Sequence, residues 1–133
     1  MITIKILTVY RPFLEEKCDL VIVPGDGGEY GILEDHVDVI LKLEPGEVRF
    51  YREEKVIGQY FIFGGLASFS KNELSIMADE VKLISDLDLK HAESKLKFFD
   101  EEQRTVDLDH SEHVFNQVLL YRRMLEVGNR EVF

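Results

Sequence analysis

The sequence has few of the residues that mark several common classes of protein. Its 133 residues include one cysteine, three prolines and no tryptophan. A single cysteine, Cys18, excludes a disulfide within the chain and is typical of proteins from reducing compartments. No apolar run approaches the roughly 20 residues of a membrane-spanning helix, and Met1 leads directly into a strand-like pattern. We therefore expect neither a signal peptide nor direct insertion into a membrane.

Basic residues are also scarce, and this excludes two kinds of partner. Sixteen lysines and arginines stand against 26 acidic residues, which gives a net charge of −10 at pH 7. Proteins that bind nucleic acid or anionic lipid surfaces need a basic patch that neutralises phosphates. We therefore expect no nucleic-acid partner and no attachment to lipid through a basic surface.

Glycine and proline divide the chain into two parts. All three prolines and eight of the nine glycines precede residue 66, and only Gly128 follows it. Before residue 85, short apolar or alternating segments predict seven to nine strands, which favours a sandwich or a barrel. The predicted strands lie at 2–7, 19–23, 39–41, 48–52, 56–63, 66–69, 74–78 and 81–84. Between them we predict a glycine-rich loop at 25–31, turns at 44–46, 53–54 and 71–72, and a break at 64–65.

From residue 85 the apolar period becomes that of a helix. Ser85, with Asp88 three residues later, is typical of a capping box and predicts the start of a first helix. Two apolar faces follow, made of Leu89, Ala92, Leu96 and Phe99 and then of Val114, Val118, Tyr121 and Leu125. The polar link 100–109 between them predicts an antiparallel helical hairpin. The expected division is a β-domain over 1–84 and a helical hairpin over 85–133.

The glycine-rich loop has two interpretations from its residues alone. Closely spaced glycines can cradle a phosphate, because they let backbone N–H groups approach an anion. Here no helix pattern and no P-loop lysine follow, and Asp26, Glu29, Glu34 and Asp35 would repel phosphate. An ordinary β-turn is the favoured interpretation.

Histidines raise the question of a metal site or a hydrolase. His110 and His113 are three residues apart, but zinc needs three or four ligands and the H-E-x-x-H pattern is absent. His36 beside Asp35 could act as a general base, yet no serine or cysteine lies in a nucleophile pattern. The residues leave two further alternatives, a free-standing ligand-binding β-sandwich with a helical cap and a small metal hydrolase.

Five segments, in order along the chain, match one family. Residues 21–36 resemble the V-x-x-P-G-x-x-G-E-x-G-I-L-x-x-H segment of the epsilon subunit of bacterial F-type ATP synthases. Residues 43–46, 60–65, 76–79 and 87–92 resemble its L-x-x-G turn, its Y-x-x-x-G-G segment, a strand ending in Ala-acid and the start of its first helix. The likeness covers most of the chain and implies an N-terminal antiparallel β-sandwich followed by a C-terminal antiparallel α-helical hairpin.

The resemblance also implies a function. The family's epsilon subunit is a non-catalytic part of the central rotor stalk, so the expected partners are the gamma shaft subunit and the c subunits of the rotor ring. The C-terminal helices are expected to reach the catalytic alpha and beta subunits and to inhibit ATP hydrolysis. The expected location is the cytoplasmic face of the inner membrane, as a peripheral part of the complex.

Particular residues correspond to the family's contact with the ring. By resemblance, the segment that carries Glu29, Tyr30, Gly31 and His36 faces the polar loops of the rotor ring. Exposed polar groups on a rigid sheet suit such an interface. The chain has Asp38 where the family usually has a proline two residues after the histidine.

The helices carry two further expectations. In some relatives the segment matched by Asp88, His91 and Ala92 binds ATP as a regulatory ligand, with an arginine on the nucleotide where this chain has His91. A neutral histidine lacks the bidentate fork that suits phosphate, so the expectation is no cofactor, with ATP as the alternative. Arg122 and Arg123 are expected to meet acidic groups of the catalytic subunits when the second helix extends along the shaft.

Overall fold

The computed structural model describes residues 1–102 and 111–130, and their side chains over 1–97 and 117–129. The chain divides into two compact units, Met1–Leu83 and Ile84–Phe133.

The first unit is a β-sandwich of eight strands in one continuous, folded sheet. The strands are β1 (Ile2–Thr8), β2 (Pro12–Cys18), β3 (Leu20–Gly25), β4 (Gly28–Leu33), β5 (Val39–Arg52), β6 (Lys55–Ser70), β7 (Glu73–Ala78) and β8 (Val81–Leu83). Their order is β2-β1-β7-β6-β5-β3-β4, and β8 pairs with β6. All pairs are antiparallel except β1 with β7. The β-sandwich expected from the resemblance is confirmed.

Strands β5 and β6 make the two layers of the sandwich. They have 14 and 16 residues, about twice the length of their neighbours. The first part of β5 pairs with the last part of β6, which also pairs with β7, whereas the second part of β5 pairs with β3 and the first part of β6. Both strands bend where Leu43 pairs with Gly65, so the sheet folds back over itself.

The core lies between these layers and follows the period-2 pattern of the sequence. Ile2, Ile4 and Ile6 of β1 are fully buried and alternate with more exposed residues. Inward positions of the other strands complete the cluster, among them Val21, Val23, Val48, Phe50, Ile62, Phe69, Leu74 and Ile76. Each such side chain contributes about 1.5–3 kcal/mol by leaving water, so the alternation itself determines which face of each strand points inward.

Three turn and loop predictions are wrong, and one strand is missing from the predicted set. The turn at 44–46 and the break at 64–65 are bends inside β5 and β6, because the strand partners continue through them. Residues 28–33 are β4 and not loop. Strand β2 has no signal in the sequence, because most of its residues are exposed and it lacks the alternation of a half-buried strand. The turns at 53–54 and 71–72 are confirmed, with all four residues in the left-handed region.

Cys18 ends β2 and is fully buried in the core. Removal of its thiolate from water, with Asp19 nearby, raises the pKa of the thiol to about 11. A neutral buried thiol packs as a small apolar side chain and is inert as a nucleophile at neutral pH.

The second unit contains two helices packed as an antiparallel pair. After a short 3₁₀ turn (Ile84–Asp86) come α1 (Leu89–Glu102) and α2 (Ser111–Arg130). The first residue of α1, Leu89, lies against Gly128 near the end of α2, which makes the pair antiparallel. The helical hairpin is therefore confirmed. Within the described residues, no helix is long and apolar enough to cross a membrane.

Two details of the helices differ from the expectation. The side chain of Asp88 accepts a hydrogen bond from the His91 N–H (2.9 Å), so Asp88 is itself the N-cap and is not the third residue of a box begun by Ser85. On α2 the buried side chains are Val118, Met124 and Val127, whereas Tyr121 and Leu125 are only partly buried.

Candidate functional site

Strand β4 carries three of the four residues that are expected from the sequence to face a rotor ring. It lies at one end of the sheet order and pairs with β3, from Leu20 opposite Leu33 to Gly25 opposite Gly28. Asp26 and Gly27 form the tight turn between the two strands, with Gly27 at φ +86°. Glu29, Tyr30 and Gly31 thus belong to the rigid edge of a sheet.

Tyr30 closes the hairpin by covering a glycine. A Cβ atom on Gly25 would lie 2.3 Å from the Tyr30 ring, so the ring rests directly on the backbone there. The Tyr30 hydroxyl donates to the Asp26 carbonyl at 3.3 Å, and the side chain stays partly exposed. Any other residue at position 25 would displace this ring.

Glu29 is held by an arginine that the sequence did not single out. The Arg49 guanidinium donates to both carboxylate oxygens of Glu29, at 3.1 and 2.9 Å. It also contacts Glu47 at 3.4 Å and donates through Nε to the Tyr51 hydroxyl at 3.0 Å. Hydrogen bonding to Glu29 raises the pKa of Arg49 against the opposing effect of burial. The spacing Glu47, Arg49, Tyr51 puts all three on the outer face of β5, opposite the core residues.

We expect Arg49→Met to destabilise the β-sandwich by about 1–3 kcal/mol. The substitution removes the bidentate ion pair with Glu29, and it also removes the guanidinium that lies beside the buried carboxylate of Glu47. Arg49→Lys should recover only part of the loss, since an ammonium cannot bind both oxygens of Glu29 in the same way. Urea unfolding measures both variants. A wild-type midpoint for Arg49→Met would contradict the role of this network.

His36 lies beyond the other end of β4. Its ring centroid is 5.9 Å from that of Phe69, edge to face, and Nδ1 is 2.8 Å from the Val37 carbonyl oxygen. Six residues of strand span about 20 Å, so Glu29 and His36 are separated by most of the length of β4. They share one edge of the sandwich and do not form one loop.

The strands at the two ends of the sheet order, β2 and β4, differ in how they are protected. Strand β2 begins with Pro12 and carries Glu15, Glu16 and Lys17, which hinder pairing with another strand. Strand β4 has no proline and one charged residue, Glu29, whose carboxylate binds Arg49. An unprotected edge of this kind is typical of a surface that a partner covers.

The residues that match the family's ATP segment are engaged within the helical unit. Asp88 caps α1, Ala92 is fully buried, and the His91 ring packs edge to face on Tyr121 with centroids 5.9 Å apart. This arrangement is a helix start packed on its neighbour.

Arg122 and Arg123 are both exposed on α2. They differ in local charge, because Arg123 forms an ion pair with Glu126 at 3.2 Å.

The possible metal site at His110 and His113 is not located, because His110 and the side chain of His113 lie outside the described residues. Among the residues that are described, no group of three or more histidine, cysteine or acidic side chains could hold a metal ion.

Comparison with known proteins gives one consistent family. Residues 1–84 match the family "ATP synthase, Delta/Epsilon chain, beta-sandwich domain". An ATP synthase epsilon chain from Granulibacter bethesdensis is 26% identical over 105 residues, which cover 79% of this chain and 78% of that one.

Two solved structures are similar to the chain in fold. One is a mitochondrial ATP synthase structure of Euglena gracilis containing OSCP, F1 and the c-ring, with a TM-score of 0.74 at 20% identity over 96% of this chain and 77% of that one. The other is the central stalk and c-ring of the Tetrahymena thermophila mitochondrial ATP synthase, with a TM-score of 0.69 at 12% identity over 96% of both chains.

Proposed function

The chain belongs to the ATP synthase delta/epsilon family, and from that premise we propose that it is a non-catalytic subunit of the central rotor stalk. In this role it couples the gamma shaft to the c subunits of the membrane ring during ATP synthesis. The main support is the family match over 84 residues, together with relatives named as epsilon chains along most of the sequence. The inert Cys18 thiol also fits a subunit that performs no chemistry itself.

The outer face formed by β1, β7 and the last part of β6 suits the shaft subunit. Leu66 and Met77 are paired neighbours on β6 and β7, both are exposed, and Leu7 of β1 is the next residue in the same row. Ile40 adds a further exposed apolar side chain on β5. A contiguous apolar surface on a small protein marks an interaction site, and we assign this one to the shaft.

The β4 edge suits the ring. It presents Tyr30 and Gly31 on a rigid strand, with Glu29 at one end and His36 beyond the other. We assign this edge to the polar loops of the c subunits. Strand β4 has few of the features that hinder pairing with another strand, so a partner that covers it is expected.

The helical unit suits a regulatory role on the catalytic alpha and beta subunits. We infer that it folds separately from the β-sandwich and restrains ATP hydrolysis when it extends. The whole subunit would sit at the cytoplasmic face of the inner membrane as a peripheral component. No ATP is needed in this proposal, because Asp88, His91 and Ala92 already have roles in the start of α1.

The assignment of the β4 edge is tested by separate substitutions at its two ends. Glu29→Gln keeps a hydrogen-bond acceptor for Arg49 but removes the charge, and His36→Ala removes the ring. Both should weaken binding of the soluble complex to the membrane sector, by roughly two- to tenfold for the loss of one polar contact. Glu15→Ala on β2, the opposite edge, is the matched control and should bind as wild type does.

Co-purification with the gamma shaft tests the function as a whole. A stoichiometric complex supports the stalk role. A chain that stays alone under conditions in which the other stalk subunits assemble would favour the free-standing ligand-binding sandwich. Binding of both β4-edge variants at wild-type strength, with the shaft complex intact, would contradict only the ring assignment.

A further inference from the structure

The connection between β4 and β5 is exposed but firmly held. Residues 34–38, which we term the β4–β5 corner, belong to no strand, and all five are exposed. The His36 N–H donates to the Leu33 carbonyl at 3.1 Å, which closes a tight turn through Glu34 and Asp35. Within this turn Asp35 has φ +64°, a backbone conformation that a residue with a side chain rarely adopts. Contacts with a distant part of the chain stabilise this conformation.

Asn72 provides that support from the turn between β6 and β7. Its Oδ1 accepts the Asp35 N–H at 2.7 Å, and its Nδ2 donates to the Asp35 carboxylate at 3.1 Å, across 37 residues of sequence. Its own carbonyl accepts the Thr3 N–H at 2.9 Å. One side chain thus fixes the backbone of the corner to a turn that is itself anchored to β1.

A second bond fixes the far end of the corner. The Ser70 hydroxyl donates to the Asp38 carboxylate at 3.2 Å, directly before β5 begins. Between these two attachments, Val37 projects with 74% of its surface exposed, and the His36 ring rests on Phe69. The corner therefore presents His36 and Val37 in one fixed arrangement.

We propose that Asn72 is a positioning residue for the contact between the β4–β5 corner and the rotor ring. The inference rests on the proposed function, in which His36 belongs to the ring-facing edge. A segment already held in its binding conformation does not lose that conformational freedom when the partner arrives, so a preorganised corner binds more tightly than a mobile one. Asn72 supplies this preorganisation without itself touching the ring.

Asn72→Gly removes the side chain and retains both the left-handed turn and the carbonyl that binds Thr3. We expect it to weaken binding of the full-length chain to a purified complex of shaft and ring about tenfold, which corresponds to about 1.4 kcal/mol. Amide hydrogen exchange at Asp35 should become faster, while exchange at Ile76 in the core should not change. Lys71→Gly, at the neighbouring left-handed position of the same turn (φ +52°), is the matched control and should bind as wild type does.

Two further variants separate positioning from general stability. Asp35→Asn keeps an acceptor for Asn72 and tolerates the left-handed backbone, so it should retain wild-type binding. Asn72→Asp keeps the acceptor for the Asp35 N–H but sets two carboxylates together, and it should bind weakly even where urea unfolding shows a stable sandwich.

The outcomes distinguish the inference from its premise. Wild-type affinity in both Asn72 variants, or an equal loss in Lys71→Gly, would overturn the positioning role and leave the stalk assignment intact. A wild-type chain that does not bind the complex of shaft and ring would remove the proposed function itself.

Discussion

Assembled soluble ATP synthase that contains a chain ending at Asp86 should hydrolyse ATP several-fold faster than the same complex with the full-length chain. The shortened chain keeps the whole β-sandwich, Met1–Leu83, and loses both helices. A regulatory element that switches between two arrangements must hold them within a few kcal/mol of each other, so its complete removal has a larger effect than any single contact.

Substitution of the two arginines should give part of this effect. An exposed ion pair contributes about 0.2–1 kcal/mol, so losing one shifts the ratio of the two arrangements roughly 1.4- to 5-fold. Arg122→Ala should raise hydrolysis more than Arg123→Ala, because Arg123 is already paired with Glu126. The double variant should lie between wild type and the truncation. Added salt should reduce the differences, since exposed charges are screened within about 8 Å at physiological ionic strength.

Circular dichroism and urea unfolding of the shortened chain are the necessary controls. They should show a folded β-sandwich that still binds the shaft subunit. If neither the truncation nor the double substitution alters hydrolysis at low or moderate salt, the hairpin has only a structural role and the coupling function alone survives. An unfolded shortened chain would instead show that the two units do not fold separately.

Gly65→Ala adds one methyl group and should destabilise the β-sandwich by about 2–6 kcal/mol. This value is the sum of backbone strain and overpacking. Gly65 has φ +149°, and a Cβ there would lie 2.1 Å from the Met77 carbonyl oxygen and 2.9 Å from the Ala78 Cα. These are backbone atoms of β7, so they cannot rotate away. To accept the methyl group, β6 and β7 must separate at the bend where the sheet folds into two layers.

Gly27→Ala is the matched control for the backbone term. Gly27 also has a positive φ (+86°), but nothing lies within 4 Å of the added Cβ. Its substitution should cost only the strain of about 1–3 kcal/mol. Urea unfolding measures the free energy of unfolding of the two variants. An equal loss of stability in both would show that contact of the added methyl group with β7 plays no part.

Much of the fold could be predicted because its signals are local. The alternation of Ile2, Ile4 and Ile6 predicts β1 and its buried face, and the pairs at 53–54 and 71–72 predict tight turns. The family resemblance at 21–36 indicated a candidate site, which stays a prediction, and the residues of this segment suggested a loop. Four glycines in seven residues favour a turn, whereas the pairing of Gly28–Leu33 with β3 makes most of them a strand.

The sequence by itself determined the two-part division of this protein, the inward faces of its strands and the helical character of Leu89–Glu102 and Ser111–Arg130. These features follow from the apolar period and the turn residues, whose effects act over a few neighbouring positions. Only the tertiary structure decided which distant groups meet. It brings Arg49 to Glu29 across 20 residues and Asn72 to Asp35 across 37. It also makes single bent strands of 39–52 and 55–70. Such pairings depend on the register and folding of the whole sheet, which no local pattern of residues encodes.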